Sequence, residues 1–286
     1  MDILVVPKFT KSGYGDRMND ILCLLSFARI NSKQLYICWE DYSMPDHQDV
    51  PAWRLEDTRL DNFTRFFKFP SDVTLSYEVP SQSSSVFSHY IGGTVSPSRF
   101  YERFVTECSP DIWAKTVKQV KSELDLHVPK YVSDTPYAVV HLRRTDKLRG
   151  ADDYQLHRKD LEMLNQETFA AIRSSGFTNF YIATDDPSSR SEYVSYIESI
   201  GGHVIQPANI HNLLPSYFDT WMMRSSSFVI VSMRYSTFSL LPSLWWDVPL
   251  CTILPNASYF ELGFDKDAPI RYFKDIQSSS SPTMSS

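Results

Sequence analysis

Three short clusters in this sequence carry side chains suited to gripping a charged, oxygen-rich ligand. His141-Leu142-Arg143-Arg144-Thr145-Asp146 follows the apolar run Ala138, Val139, Val140. Thr184-Asp185-Asp186 follows Asn179 to Ala183, and Ser232-Met233-Arg234-Tyr235-Ser236-Thr237 follows Phe228 to Val231. In each, a segment of strand length stops where charge and hydroxyls begin. Ligands of open α/β sheets sit outside the carboxyl ends of the strands, so these residues are placed to meet one. Guanidinium groups are permanently charged, planar donors that hold phosphate oxygens bidentately. The hydroxyls of Ser232, Ser236 and Thr237 can donate to further phosphate oxygens, and Asp185 or Asp186 can accept from a ribose hydroxyl or a base amine. Together they describe a site for a nucleoside diphosphate. Each cluster also has a plainer explanation: adjacent arginines in a loop are often surface charges, and one of Asp185 and Asp186 is placed to cap the helix that Pro187 opens.

A fourth cluster lies near the N-terminus. Gly13 and Gly15, in a turn between a predicted strand and helix, let the backbone approach a ligand, and Arg17 at the helix start faces an acceptor or a phosphate; a purely structural turn is the alternative. Asp219 falls near the middle of a predicted helix. Asp152 and Asp153 lie in a polar loop after the arginine cluster and are candidates for a general base. Trp39, Asp41, Trp53, His89 and Tyr90 have the chemistry to stack on or hydrogen-bond a sugar, with core packing as their competing assignment.

The elements that position these residues follow from hydrophobic period. Ile3 to Val6 predicts a strand, about 17–31 a helix with an apolar stripe through Met18, Ile21, Leu22 and Leu25, and 35–39 a second strand, which together make a βαβ unit. From 41 to 110 the pattern is irregular, with Phe63, Phe66, Phe67 and Phe69, several prolines and a serine run. Ser109-Pro110-Asp111 opens a helix to about 126, and 127–136 reads as a linker. Beyond it strands and helices alternate: 138–140, a helix stopped at Gly176, 179–183, a helix stopped at Gly201, 203–206, a helix over 214–224, 228–231, a helix over 238–246 and 250–254. Right-handed crossovers bring the ends of such strands side by side on one edge. The predicted organisation is an N-terminal Rossmann-like acceptor-side domain (1–130), a C-terminal nucleotide-sugar-binding domain (131–276) and a disordered tail (277–286).

With a net charge of -6, the chain does not suit a nonspecific grip on nucleic acid. Neither a Walker GxxxxGK[ST] nor a GxGxxG motif follows any predicted strand, which disfavours a kinase or a dehydrogenase. Cys23, Cys38, Cys108 and Cys251 lack metal spacing and are expected as reduced thiols. The acidic second residue and very short apolar run at the start give no signal peptide or membrane span, so a cytoplasmic protein of bacterial or viral type is expected.

The set HLRRTDK, YIATDDPS, Asp219 and FVIVSMRYST resembles the three motifs of the α1,6-fucosyltransferases, the nodulation-factor fucosyltransferases and, more distantly, the protein O-fucosyltransferases. GYGDRMND is similar to the glycine-containing first loop of that superfamily, and SMRYST carries extra residues relative to its third motif. The resemblance implies an α/β, GT-B-like fold, in which two Rossmann-type domains with parallel sheets face each other across a cleft. It implies an inverting glycosyltransferase, fucosyltransferase-like and metal-independent, that moves a sugar from a GDP-sugar or UDP-sugar donor to a glycan acceptor. Arg144 would then contact the β-phosphate, with Arg143 close to the donor and His141 by the nucleotide. Asp185 or Asp186 would lie by the base or ribose, Asp219 by the base, and Ser236 or Thr237 by the pyrophosphate. Asp152 or Asp153 falls near the place of a candidate base in the α1,6 enzymes. Transfer from another donor such as UDP-xylose, and a nucleotide-sugar or glycan-binding module without turnover, remain the alternatives.

Overall fold

The computed structural model describes residues 2–7, 9, 13–41, 55–80, 85–88, 96–144, 158–232, 236–253 and 270–279. Asp146, Asp152, Asp153, Arg234, Trp53, His89 and Tyr90 lie outside them. β1 (Asp2–Val6) leads through Gly13 into α1 (Tyr14–Ile30), which returns to β2 (Lys33–Cys38), parallel to β1. Then come α2 (Leu60–Phe66), β3 (Phe67–Lys68), β4 (Val73–Ser76), β5 (Ser85–Val86), α3 (Pro97–Phe104), α4 (Pro110–Glu123) and β6 (Asp125–Leu126). The second half runs β7 (Tyr137–Leu142), α5 (Arg158–Ser174), β8 (Asn179–Thr184), α6 (Pro187–Ser199), β9 (His203–Val204) and α7 (Pro215–Ser225). It closes with β10 (Phe228–Ser232), α8 (Thr237–Trp246), β11 (Leu250–Thr252), β12 (Ile270–Tyr272) and α9 (Phe273–Ser279).

Two parallel sheets result. One has the order β4-β2-β1-β5, the other β12-β11-β10-β7-β8-β9, and β3 pairs with β6 antiparallel. The segment that reads as irregular in sequence therefore supplies β4 and β5, both outer strands of the first sheet. They are too short to show a period of their own and are fixed by pairing with β2 and β1. The strand β12 has the same explanation, and α9 extends to Ser279, into the stretch expected to be a disordered tail.

Helix ends follow local chemistry. Ser109 caps α4 by accepting from Ile112 N at 3.3 Å, with Pro110 next. Gly176 and Gly201 follow α5 and α6 with φ of 76° and 80°, where a Cβ would be strained. In α1, Met18, Ile21, Leu22, Leu24 and Leu25 are all fully buried, so this helix is covered on nearly every side. Each such side chain contributes about 1.5–3 kcal/mol.

The six-stranded sheet has two different faces. Ala138, Val140 and Leu142 of β7, with Phe180, Ile182 and Ile230, pack into a core with α5 and α6. Tyr137, Val139, Tyr181, Ala183, Val229 and Val231 point the other way, into a core shared with α1, α7, α8 and the first sheet. The two halves are thus joined by one hydrophobic core. Within it Phe66 stacks on Tyr217 with centroids 4.4 Å apart.

Candidate functional site

The register of the central strands brings the polar clusters to one level. Leu142 pairs with Thr184 on β8 and with Ser232 on β10, so β7, β8 and β10 end at one level, with Arg143 and Arg144 just beyond the first and Asp185 and Asp186 just beyond the second. Beside that edge is a cavity of about 400 Å³, within the size range of small-ligand sites. From the second half it is lined by His141, Arg143, Thr184, Asp185, Pro187, Pro215, Ser216, Asp219, Thr237 and Phe238. Gly13, Tyr14, Gly15, Asp16 and Asp57 line it from the first half.

The two arginines separate by strand alternation. Successive side chains of a strand point to opposite faces, and His141 and Arg143 share the phase of Tyr137 and Val139, toward the cavity. Arg144 shares the phase of Leu142 and turns into the other core, where it is 1% exposed. Its Nη1 donates to the Ser232 carbonyl at 2.7 Å. Its Nη2 donates to Ser232 Oγ at 2.8 Å, Asn165 Oδ1 at 2.9 Å and Tyr193 OH at 3.1 Å. This departs from the expected phosphate contact of Arg144, because both terminal nitrogens are engaged inside the domain. The hydroxyl of Ser232, expected on a phosphate, belongs to the same network and also accepts from Thr168 Oγ1 at 2.7 Å.

Four helices start at the cavity wall: α1, α6, α7 and α8. A helix start presents unpaired N–H groups and the positive end of the macrodipole. Asp186 caps α6, accepting from Ser188 N at 3.0 Å and from the hydroxyls of Ser188 and Ser189 at 2.6 Å. Burial alone would raise its pKa, but these bonds outweigh burial and hold the carboxyl below its usual range. Asp186 is thus a structural cap, and Asp185 is the one at the cavity, where it accepts from Arg144 N at 2.7 Å. The residues before α1, α7 and α8, Gly13, Leu214 and Ser236, provide no capping side-chain hydrogen bond among the described residues. Thr237 lines the cavity, and Ser236 beside it is buried with no hydrogen-bond partner for its hydroxyl among the described residues. Arg143 and these helix starts therefore share one space with Asp16, Asp57, Asp185 and Asp219, and within it Arg143 and the start of α8 favour an anion.

The two glycines divide their tasks. A Cβ on Gly13 would meet nothing within 4 Å, whereas one on Gly15 would come within 2.9 Å of Phe238 N and 3.0 Å of its Cα. What Gly15 admits to close approach is the start of α8, rather than the ligand expected from sequence. Arg17 also departs from expectation. It is buried beneath the site, its Cζ 4.4 Å from the Trp39 ring centroid and 5.7 Å from that of Phe9. Burial lowers its pKa to about 10, against the opposing pull of Asp41, Asp20 and Glu40. Trp39 is occupied by that contact and by a 2.9 Å bond to the Thr58 carbonyl, and Asp41 accepts from Tyr77 OH at 2.9 Å, so both serve the fold around Arg17.

Asp219 is at the cavity and accepts from Tyr181 OH at 2.7 Å. Burial pushes its carboxyl up to about 7, with Asp185 adding and the Tyr181 bond and Arg190 opposing. Because the folded pKa is raised, the group favours folding at low pH. Below pH ~4 it is protonated in both states, and as pH rises toward 7 the unfolded chain releases the proton first and stability falls. Asp219→Asn is expected to flatten thermal stability between about pH 4 and 7 relative to wild type. Parallel melting curves against pH would show that Asp219 does not titrate there.

Tyr14, Asp16, Asp57, Ser216 and Phe238 are cavity residues that sequence reasoning missed. Asp16 stands between Gly15 and Arg17, so the glycine turn was a usable signal for it. Asp57 and Ser216 are brought in by tertiary packing, and nothing near them in sequence marks them.

No family model matches this sequence, and no curated protein sequence matches it significantly. Solved structures do. A crystal structure of the fucosyltransferase NodZ from Bradyrhizobium aligns over 86% of this chain and 92% of its own, at 14% identity and a TM-score of 0.53. A NodZ α-1,6-fucosyltransferase soaked with GDP-fucose aligns over 86% and 93%, at 12% identity and a TM-score of 0.51. The chain has the GT-B fold of these proteins, two halves with parallel sheets and a cavity between them. No helix among the described residues is long and apolar enough to cross a membrane.

Proposed function

We propose that this protein is an inverting glycosyltransferase that moves a sugar, fucose in the first instance, from a nucleoside-diphosphate sugar to a glycan hydroxyl. The observation that carries the reading is the convergence of Arg143 with the starts of α1 and α8 on one cavity at the carboxyl ends of β7 and β8. That combination supplies fixed positive potential and N–H donors where a diphosphate develops charge as it leaves.

In the proposed reaction the acceptor oxygen attacks the anomeric carbon as the bond from that carbon to the β-phosphate oxygen breaks on the opposite face. The electron pair leaves with the nucleoside diphosphate. Arg143, not Arg144, meets that charge, and Thr237 at the start of α8 donates to it. Asp16 is a carboxylate at the cavity able to take the acceptor proton, alongside Asp152 and Asp153 proposed from the sequence. Asp219 and Asp185 face donors on the nucleoside. With the arginine and helix starts supplying positive charge, no metal is required.

A thermal-shift panel of GDP-, UDP- and other nucleotide sugars, followed by transfer assays with and without EDTA, tests this reading. A donor at a hundred times its Kd should stabilise the protein by about 2.7 kcal/mol, and transfer should persist in EDTA. Stabilisation without hydrolysis or transfer would make it a binding module, loss of activity in EDTA would reject the metal-free mechanism, and no shift with any nucleotide would reject the whole reading.

A further inference from the structure

The first turn of α7 holds a polar group that the mechanism above does not use. Ser216 lines the cavity, is 7% exposed, and its hydroxyl has no hydrogen-bond partner among the described residues. A buried hydroxyl left unpaired is costly unless something completes it. The turn around it is also unusually fixed. The Ser216 carbonyl accepts from Tyr14 OH, which reaches across from α1 in the other half, at 3.0 Å, and from Thr220 Oγ1 at 3.0 Å. Tyr14 OH also lies against Thr220 Oγ1, so the two hydroxyls share the Ser216 carbonyl, and Tyr217 OH donates to the Asp57 carbonyl, again across the two halves. Ser216 is therefore held from both sides of the cavity.

Charge decides which part of a donor comes to it. Asp219 lies one turn further along the same helix, and Asp185 also lines the cavity, so a phosphate near Ser216 would face two carboxyl groups. The phosphates belong with Arg143 and Thr237. What suits Ser216 and Asp219 is a neutral group rich in O–H and N–H, as the ribose and base of a nucleotide are. We propose that Ser216 is a specificity-determining contact to the nucleoside of the donor, and that Tyr14 is the positioning residue that holds it there. This rests on the nucleoside-diphosphate reading above.

Calorimetric titration of the full chain with GDP, 2′-deoxy-GDP, IDP and inorganic pyrophosphate tests it. Loss of one such hydrogen bond is worth about 5- to 20-fold in affinity. Ser216→Ala should weaken GDP by that factor while leaving pyrophosphate unchanged, and Tyr14→Phe should do the same, since it removes only the hydroxyl. A purely structural role for Tyr14 would weaken both probes alike. If Ser216 meets the ribose, 2′-deoxy-GDP binds wild type and Ser216→Ala equally; if it meets the guanine amine, IDP does so. The inference is overturned if Ser216→Ala binds GDP within twofold of wild type, or if pyrophosphate weakens in step. Failure of wild type to bind any nucleoside diphosphate is a different result, which removes the functional reading itself.

Discussion

Arg143→Ala is expected to leave the protein folded and to lower sugar transfer by on the order of a hundredfold or more, the loss of about 3–4 kcal/mol typical of a preorganised donor to developing charge. The side chain is half-buried at the cavity wall, at the end of β7, and its removal opens no hole in either core. Melting temperature should therefore stay close to wild type. Arg143→Lys keeps a positive charge but loses the planar fork, so partial recovery of rate is expected. Initial rates with saturating donor, measured beside thermal unfolding, check both statements. A variant with near wild-type turnover would remove Arg143 from the leaving-group role.

Its neighbour should behave in the opposite way. Arg144→Ala strips hydrogen bonds from the Ser232 carbonyl and hydroxyl, Asn165 and Tyr193, and buried groups left unpaired cost about 1–3 kcal/mol each. A total loss of about 3 kcal/mol or more is expected, which for a chain of this size lowers the melting temperature by about 5 °C or more. Activity should fall too, because the Arg144 amide positions Asp185 and the side chain ties β7 to β10 and to α5. The signature that separates the pair is stability: a large drop for Arg144 and almost none for Arg143. If Arg144→Ala melts like wild type while binding no donor, the phosphate contact belongs to Arg144 after all.

The sequence alone carried the alternation of the second half and its three polar strand ends. That information is local: apolar runs of four residues, Gly176 and Gly201 as helix stops, and prolines 110, 187 and 215 at helix starts each act through the backbone nearby. It also carried a rule that separates the arginines, since Arg143 is in phase with Val139 and His141, and Arg144 with Val140 and Leu142. What it could not carry is which face of the sheet meets the other half. That choice is made by α1, α7 and α8 packing together, with Gly15 against Phe238 and Tyr14 bonded to Ser216, contacts that span some two hundred residues. Asp57 and Ser216 come to the cavity, and Arg17 is drawn beneath it onto Trp39, for the same reason. Contacts so far apart in the chain leave no period or spacing behind; they exist only once the cores have closed.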